Sequence, residues 1–261
     1  MRNYTLIISE KPNAAKRIAV ALDDEGRLIR EVDNGVPFFV ATREGREIVV
    51  AAALGHLYTV AGVKKGAWSY PIFDYQWVPR WMAEKDASKT RVWINVLSKL
   101  AENAVEFVDA CDYDIEGSII GYSILKYACK DKEKAAKRMK YSTLTREELG
   151  DSFANLLSHL DFGLIEAGLA RHEVDWLYGI NLSRALTLAV KNSNDMYTTL
   201  STGRVQGPIL KYLEMREKNI RVFVPTPFWS ITAKISIDEH IFDVEHEKKV
   251  IETKAEANNI T

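Results

Sequence analysis

The sequence predicts an α/β domain built on a mostly parallel sheet, then an α-helical domain, then the start of a third, β-containing unit. Short apolar runs of strand length alternate with helical apolar spacings over residues 1–143, a rhythm typical of a parallel sheet. The capping-box sequence Thr145-Arg-Glu-Glu148 then opens a stretch of helical patterns. The segment Pro225-Thr-Pro227 ends that stretch, and alternating residues typical of strands follow.

The α/β domain is predicted over residues 1–143. Its first strand is Tyr4–Ser9, and Pro12 suits the first turn of the helix that follows. The other predicted elements are strands at 36–41 and 48–54, a helix at 87–101, a strand at 105–110, a helix at 115–128 and a strand at 138–142. Residues 62–82 are rich in aromatic side chains. We expect an ordered loop packed onto the domain, because linkers are poor in aromatics.

The helical domain is predicted over residues 144–224, with helices at 146–158, 163–190 and 204–219. Strands at 229–237 and 241–247 belong to the third unit, residues 225–261. The polar residues after 247 resemble the interior of a domain. We therefore expect the chain to be the front part of a larger protein.

Composition excludes several classes of protein. Hydrophobic residues make up 47% and charged residues 27% of the chain, which argues against disorder and coiled coil. Lys and Arg number 35 against 36 acidic residues, so a uniformly basic nucleic-acid binder is excluded but a segregated one is not. No apolar run approaches the ~20 residues of a membrane span, and no membrane partner is expected. Two cysteines without metal-ligand spacing make a disulfide scaffold or a zinc site unexpected and favour a cytoplasmic location.

The segment from Asp109 to Gly117 is the sharpest feature of the chain. Asp112, Asp114 and Glu116 stand at i, i+2 and i+4 between a predicted strand and a predicted helix, and Glu10 follows the first strand in the same way. Ligands of open parallel sheets bind at the carboxyl ends of the strands. Converging carboxylates repel one another unless a cation neutralises them, and hard oxygen ligands favour Mg²⁺. The alternative is simple capping of a helix N-terminus, worth ~0.3–1 kcal/mol per acid, which explains one acid better than three.

These acids resemble the Toprim domain, the metal-binding module of topoisomerases, primases and some nucleases. The second half of the chain narrows the resemblance to type IA DNA topoisomerases. Ser201-Thr-Gly-Arg-Val-Gln206 resembles their SAGRVQ signature. The acidic segment, in its Asp-Tyr-Asp-Ile-Glu-Gly version, looks closer to archaeal than to bacterial members. Further similar segments follow in the family order: Arg138–Thr145, Leu169–Gly179 and Phe223–Trp229.

The resemblance implies an enzyme that cuts one DNA strand through a 5′-phosphotyrosine, passes a strand and reseals the cut. It implies Glu10 as a proton donor near the scissile phosphate, and Mg²⁺ bound by Asp112, Asp114 and Glu116. The implied DNA contacts are Arg138, Arg171, Asp175, Arg204 and Gln206. The implied partners are single-stranded DNA and negatively supercoiled DNA. The protein is expected to be a monomer and to be located in the cytoplasm, associated with the nucleoid.

Each DNA contact has a structural alternative. Arg171 and Asp175, at i and i+4, also suit a surface salt bridge. Arg204 and Gln206 stand at a helix start, which attracts phosphate but also needs a cap. Arg184, Lys191 and the basic run 126–140 suit either a DNA groove or a solvated face. His56 suits local packing near the acidic edge.

Two departures from the family limit what the resemblance carries. Asp114-Ile-Glu-Gly-Ser118 replaces the usual Asp-Arg-Glu-Gly-Glu, so contacts of those Arg and Glu residues do not carry over. His172, Trp176 and Ile180 replace residues that surround a base pocket in bacterial relatives, so base preference does not carry over either.

No tyrosine in this chain has the Arg-Thr-Asp-Ser context of the family nucleophile, although there are eleven tyrosines. We therefore expect the chain to bind Mg²⁺ and single-stranded DNA without cleaving it. Two alternatives stay open: a Toprim nuclease or primase, which needs no Arg204-Val-Gln206 segment, and a DNA-binding remnant that has lost its chemistry.

Overall fold

The computed structural model describes residues 3–63, 70–194 and 198–261, and its contacts divide the chain into two compact units, Met1–Arg204 and Val205–Thr261. The strands of the first unit are β1 (Tyr4–Ser9), β2 (Ile29–Asp33), β3 (Val36–Arg43), β4 (Arg46–Ala52), β5 (Tyr58–Gly62), β6 (Tyr75–Pro79), β7 (Ala104–Asp109) and β8 (Lys137–Arg138). Its helices are α1 (Pro12–Leu22), α2 (Arg80–Ala83), α3 (Lys89–Ala101), α4 (Ile115–Ser123), α5 (Arg146–Ala154) and α6 (Phe162–Asn194).

A six-stranded sheet in the order β2-β3-β4-β1-β7-β8 forms the core of this unit. Strands β4, β1, β7 and β8 are parallel, whereas β3 and β2 add an antiparallel edge. The apolar run Leu6-Ile7-Ile8 in the centre of β1 is fully buried, as expected for a strand covered on both faces. The predicted mostly parallel α/β fold is thereby confirmed.

The parallel register aligns the carboxyl ends of three strands. Ser9 of β1 pairs with Ala52 of β4, and Ile8 pairs with Asp109 of β7. The residues that follow these strands therefore emerge at one edge of the sheet. This is the edge on which an open α/β sheet binds its ligands.

Three of the predicted elements in the first unit differ clearly in extent from the observed ones. The helix predicted over 115–128 is α-helical to Ser123 and continues as a π-helical turn, Ile124–Ala128. The strand predicted over 138–142 ends at Arg138, whose backbone also pairs with Leu157. That same bridge requires an extended Leu157, so α5 stops at Ala154 rather than at the predicted 158.

The aromatic segment is predicted as a loop, but where the structure describes it, it contains strand β6 and most of helix α2. Strands β5 and β6 form a two-stranded antiparallel sheet. The side-chain amide of Asn181 on α6 holds the segment through two bonds to the backbone of Ile72, of 2.7 and 2.8 Å. Trp68, part of the same predicted loop, lies outside the described residues.

Helix α6 runs for 33 residues and packs against α4. Gly168 permits this contact, because a Cβ there would overlap the side chain of Ile119.

The second unit contains α7 (Gln206–Arg221), the antiparallel strands β9 (Thr232–Ile237) and β10 (His240–Glu245), and α8 (Lys254–Ile260). None of the helices in the described parts of the chain has both the length and the apolar character to cross a bilayer.

Candidate metal and nucleic-acid site

The turns after β1 and β7 bring the predicted acids together. Lys11, which follows Glu10, lies between them: its Nζ is 3.1 Å from Oε1 of Glu10 and donates to Oδ2 of Asp112 at 2.8 Å. These interactions hold the pKa of Lys11 above its ordinary value. Lys11 is thus the counter-charge within this cluster, and nothing in the sequence pattern had marked it.

Asp114 immediately precedes helix α4 as its N-cap. Its Oδ1 accepts a 2.7 Å hydrogen bond from the backbone N–H of Gly117, so it caps the helix as well as belonging to the acidic edge. Gly117 is required here, because a Cβ at that position would overlap the backbone carbonyl of Asp112. The glycine that ends the Asp-Tyr-Asp-Ile-Glu-Gly motif therefore lets the backbone of Asp112 lie against the first turn of α4.

Glu10 is the most enclosed of the acids on this edge, with 14% of its side chain exposed. Burial raises its pKa, and the negative charges of Asp112 and Asp114 raise it further, while Lys11 opposes both effects. A carboxyl group with a raised pKa retains its proton at higher pH than an ordinary glutamate. This property suits a proton donor.

A buried ion pair between Arg138 and Asp109 holds the backbone of the acidic segment. Arg138 and Asp109 are each 1% exposed, and NH1 of Arg138 is 3.4 Å from Oδ1 of Asp109. Arg138 also donates to the backbone carbonyls of Asp109 and Asp112, both at 2.9 Å. Burial raises the pKa of Asp109, and the positive charge of Arg138 opposes that shift. A direct contact between Arg138 and DNA, as the sequence predicts, would require the guanidinium to leave these partners.

Glu116 has different partners from Asp112. Its Oε2 lies 2.9 Å from Nε2 of His56 and 3.0 Å from Nε2 of His172, and its Oε1 lies 3.3 Å from NH1 of Arg171. Partial burial raises the pKa of Glu116, but its interactions with the two histidines outweigh burial and lower the pKa overall. Burial and the neighbouring His172 lower the pKa of His56.

Aromatic packing from β6 orients the part of α6 that carries His172. The ring of Trp77 lies 5.9 Å from that of His172, and its Nε1 donates to Glu173 at 3.1 Å. The hydroxyl of Tyr75 donates to the same carboxylate at 2.7 Å. The aromatic segment therefore packs against the helix that bears two of the predicted DNA contacts, Arg171 and Asp175.

Three of the predicted DNA contacts lie together on and beside α6. Both Nε and NH2 of Arg204 donate to the Asp175 carboxylate, and Nε of Arg171 is 3.9 Å from it. The Ser183 side chain holds the segment before Arg204 by accepting from the backbone N–H of Thr202 at 3.0 Å. Gln206 begins α7 in the second unit.

Two donor sets at this edge differ in the metal they suit. The carboxylates of Asp112 and Asp114 are hard oxygen donors of the kind that Mg²⁺ takes. Glu116 instead stands with two imidazoles, and one ligand atom from each of these three residues lies within 4.8 Å of the others. The sequence pattern does not predict that His56 and His172 contact Glu116, because the three residues are far apart in the chain.

Comparison with known proteins finds relatives over most of the chain. The Toprim domain model matches residues 5–144, and a model described as DNA topoisomerase matches residues 159–261. Among its relatives, DNA topoisomerase 1 of Pyrococcus horikoshii is 48% identical over 98% of this chain and 37% of its own length. DNA topoisomerase 1 of Pyrococcus furiosus is 46% identical over 98% of this chain and 24% of its own length.

More distant matches are also to DNA topoisomerases. DNA topoisomerase 3 of Staphylococcus epidermidis is 30% identical over 96% of this chain and 33% of its own length. The structure of full-length topoisomerase I from Thermotoga maritima matches 98% of the chain with a TM-score of 0.58 at 22% identity, which shows the shared fold. The chain thus spans between 24% and 37% of the length of each of these proteins. It belongs to the type IA DNA topoisomerase family and contains that family's Toprim domain.

Proposed function

We propose that this chain supplies the metal-binding edge and a strand-binding helix for type IA topoisomerase chemistry, in which one DNA strand is cut, passed and resealed through a 5′-phosphotyrosine. The observation that carries the proposal is that Lys11 contacts both Glu10 and Asp112, which places the two acids together at the carboxyl ends of β1 and β7. Acids gathered at this edge suit phosphoryl transfer, which depends on positioning and charge neutralisation.

Asp112 and Asp114 would hold Mg²⁺, with Glu116 as the third predicted ligand. When bound, Mg²⁺ neutralises negative charge on a phosphate. Lys11 is the natural competitor for this position, because its ammonium group already contacts Asp112. Metal binding would therefore displace Lys11 from Asp112 or weaken that contact.

Glu10 would act as the proton donor at the scissile phosphate. Its raised pKa and its enclosure support this role, since a general acid must hold a proton near the pH at which it works. Its neighbour Lys11 adds positive charge where an approaching phosphate would bring negative charge.

Arg171, Asp175 and Arg204 would contact single-stranded DNA or orient one another for that contact. Arg171 and Arg204 both face Asp175, so the carboxylate fixes the direction of two guanidinium groups at once. Gln206 would add a contact at the start of α7, and Arg138 would act chiefly by holding the backbone of Asp112. The domain limits 1–143, 144–224 and 225–261 belong to the same proposal.

Cleavage itself requires a nucleophile, and none of the eleven tyrosines has the family context. We therefore propose that the 261-residue chain binds Mg²⁺ and single-stranded DNA as a cytoplasmic monomer at the nucleoid, but does not cut. The match of the DNA topoisomerase model to residues 159–261 favours a part in topoisomerase chemistry over a Toprim nuclease or primase.

The test combines binding and cleavage with the same purified chain. Fluorescence anisotropy should detect binding of a labelled oligonucleotide that weakens steeply with salt. Incubation with negatively supercoiled plasmid and Mg²⁺ should leave the plasmid supercoiled. Relaxation of the plasmid would refute the absence of cleavage, and a Mg²⁺-dependent nick without religation would favour the nuclease alternative.

A further inference from the structure

Two imidazoles and one carboxylate meet beside the acidic edge. Nε2 of His56 and Nε2 of His172 lie 2.9 and 3.0 Å from the same oxygen, Oε2 of Glu116. We propose that these three residues form a site for a divalent transition-metal ion, Zn²⁺ above all. This site shares Glu116 with the Mg²⁺ role proposed above, and an ion bound there would leave Asp112 and Asp114 as the Mg²⁺ ligands.

The donor set favours this class of ion. Imidazole is a ligand for zinc, copper, iron and nickel, whereas Mg²⁺ takes oxygen ligands almost exclusively. Two histidines with one glutamate are a known ligand combination for zinc sites that keep a fourth position open. The His56–Glu116–His172 cluster therefore selects a different ion from the carboxylates of Asp112 and Asp114.

The spacing of the donor atoms suits one small ion. Ligand atoms about 2.0–2.1 Å from a tetrahedral zinc lie roughly 3.3 Å from one another. Both nitrogens of the cluster are within a few tenths of an ångström of that separation from the Glu116 oxygen. All three donor atoms lie within 4.8 Å of one another, so small side-chain rotations would complete the geometry.

Three separate elements of the first unit hold the donors in place. His56 follows β4, Glu116 lies in the first turn of α4, and His172 lies on α6. The two imidazole rings are 4.9 Å apart, and the Trp77 ring packs on His172. Little conformational entropy would be lost on binding, because the fold has already ordered the ligands.

Arg171 is compatible with a metal at this position. Its NH1 contacts Oε1 of Glu116, the oxygen that does not face the histidines. Carboxylate ligands of metals are commonly held by a second partner in this way. The two histidine side chains are each 27% exposed, so an ion can enter from solvent and keep a water in its fourth position.

The experiment titrates the purified chain with Co²⁺, read by visible absorption, and with Zn²⁺, read by calorimetry. We expect one ion per chain with a four-coordinate Co²⁺ spectrum, and at least tenfold weaker binding in His56→Gln and in His172→Gln. The control His240→Gln, an exposed histidine of the second unit, should bind like the wild type. Asp112→Asn distinguishes an ion bound at the carboxylates from one bound at the histidines.

X-ray absorption of the zinc-loaded wild-type chain counts the imidazole ligands directly and does not depend on whether a variant folds. Two imidazoles would support the site. The proposal is overturned by a failure to bind, by zinc with no imidazole ligand, or by binding that survives both histidine substitutions but is lost in Asp112→Asn. Failure of the wild-type chain to bind Mg²⁺, with zinc bound at the two histidines, would refute only the proposed function.

Discussion

The ammonium group of Lys11 lies 2.8 Å from Oδ2 of Asp112 and so joins the turn after β1 to the turn after β7. The same group is 3.1 Å from Glu10. A protein cation therefore already offsets the repulsion among the acids of this edge. Any cation that enters from solution must compete with it.

Lys11→Met should strengthen Mg²⁺ binding. Removal of the competing ammonium group should improve affinity about threefold to fivefold, which corresponds to the ~0.7–1 kcal/mol of a solvent-exposed ion pair. Isothermal titration with Mg²⁺ measures this change. Lys16→Met on the exposed face of α1 is the matched control and should leave the affinity unchanged. Weaker binding in Lys11→Met would show that Lys11 helps the metal rather than competing with it.

Gly117→Ala should destabilise the first unit and impair Mg²⁺ binding together. The new Cβ would overlap the backbone carbonyl of Asp112, which no side-chain rotation can relieve. We expect a loss of about 1–3 kcal/mol in the free energy of unfolding, as for other forced overlaps. Urea denaturation provides the measurement.

Gly150→Ala is the control for that substitution. Gly150 lies in α5 with nothing within 4 Å of the added Cβ, so alanine there should stabilise the chain by up to ~1 kcal/mol. Equal effects of the two substitutions would mean that the close approach at Gly117 is not a constraint.

Arg138→Met should lower the free energy of unfolding, and this effect should be larger than any direct effect on DNA binding. The substitution would leave the Asp109 carboxylate buried without its partner, and breaking a buried ion pair from one side costs about 3–5 kcal/mol. Thermal and urea unfolding test this expectation. If the variant is as stable as the wild type but binds an oligonucleotide weakly, Arg138 serves DNA rather than the fold.

Arg204→Ala should weaken binding of single-stranded DNA and lower its salt dependence. If Arg204 neutralises one phosphate, the slope of log affinity against log salt should fall by about 0.7 for a single strand. Anisotropy titrations at several salt concentrations measure both quantities. Arg30→Ala, on the outer strand β2, is a control of equal charge change and should leave the slope unaltered.

Asp161→Ala should destabilise the chain in a manner that depends on pH. Asp161 accepts from the N–H of Leu164 at 3.1 Å and from the hydroxyl of Tyr113 at 3.0 Å, and these bonds, the first above all, lower its pKa. Loss of this helix cap should cost about 1 kcal/mol at pH 7.

The sign of the pH effect follows from the lowered pKa of Asp161. Its charged form stabilises the fold above the ordinary aspartate pKa of about 4, and this contribution disappears as the pH falls through the lowered value. The stability gap between wild type and Asp161→Ala should therefore narrow in acid. Asp151→Ala, at an exposed position of α5, is the control for the removal of a surface acid. A gap that stays constant from pH 7 to acid would contradict the assignment.

Much of the fold follows from local patterns in the sequence. The buried run Leu6-Ile7-Ile8, the helix that starts at Pro12 and the capping box at Thr145 all lie where the pattern predicts them. Element ends were less predictable. The early end of β8 and of α5 depends on the bridge between Arg138 and Leu157, a pairing that no single segment encodes.

The sequence by itself determined the α/β class, the family and the acidic edge, because hydrophobic periodicity and short motifs are properties of neighbouring residues. Only the tertiary structure decided which charges meet. It paired Lys11 with Asp112, enclosed Arg138 with Asp109, and brought His56 and His172 to Glu116 although cysteine and histidine spacing had made a zinc site unexpected. The physical reason is that these contacts join residues distant in the chain, and their geometry exists only once the parallel sheet and α6 have packed.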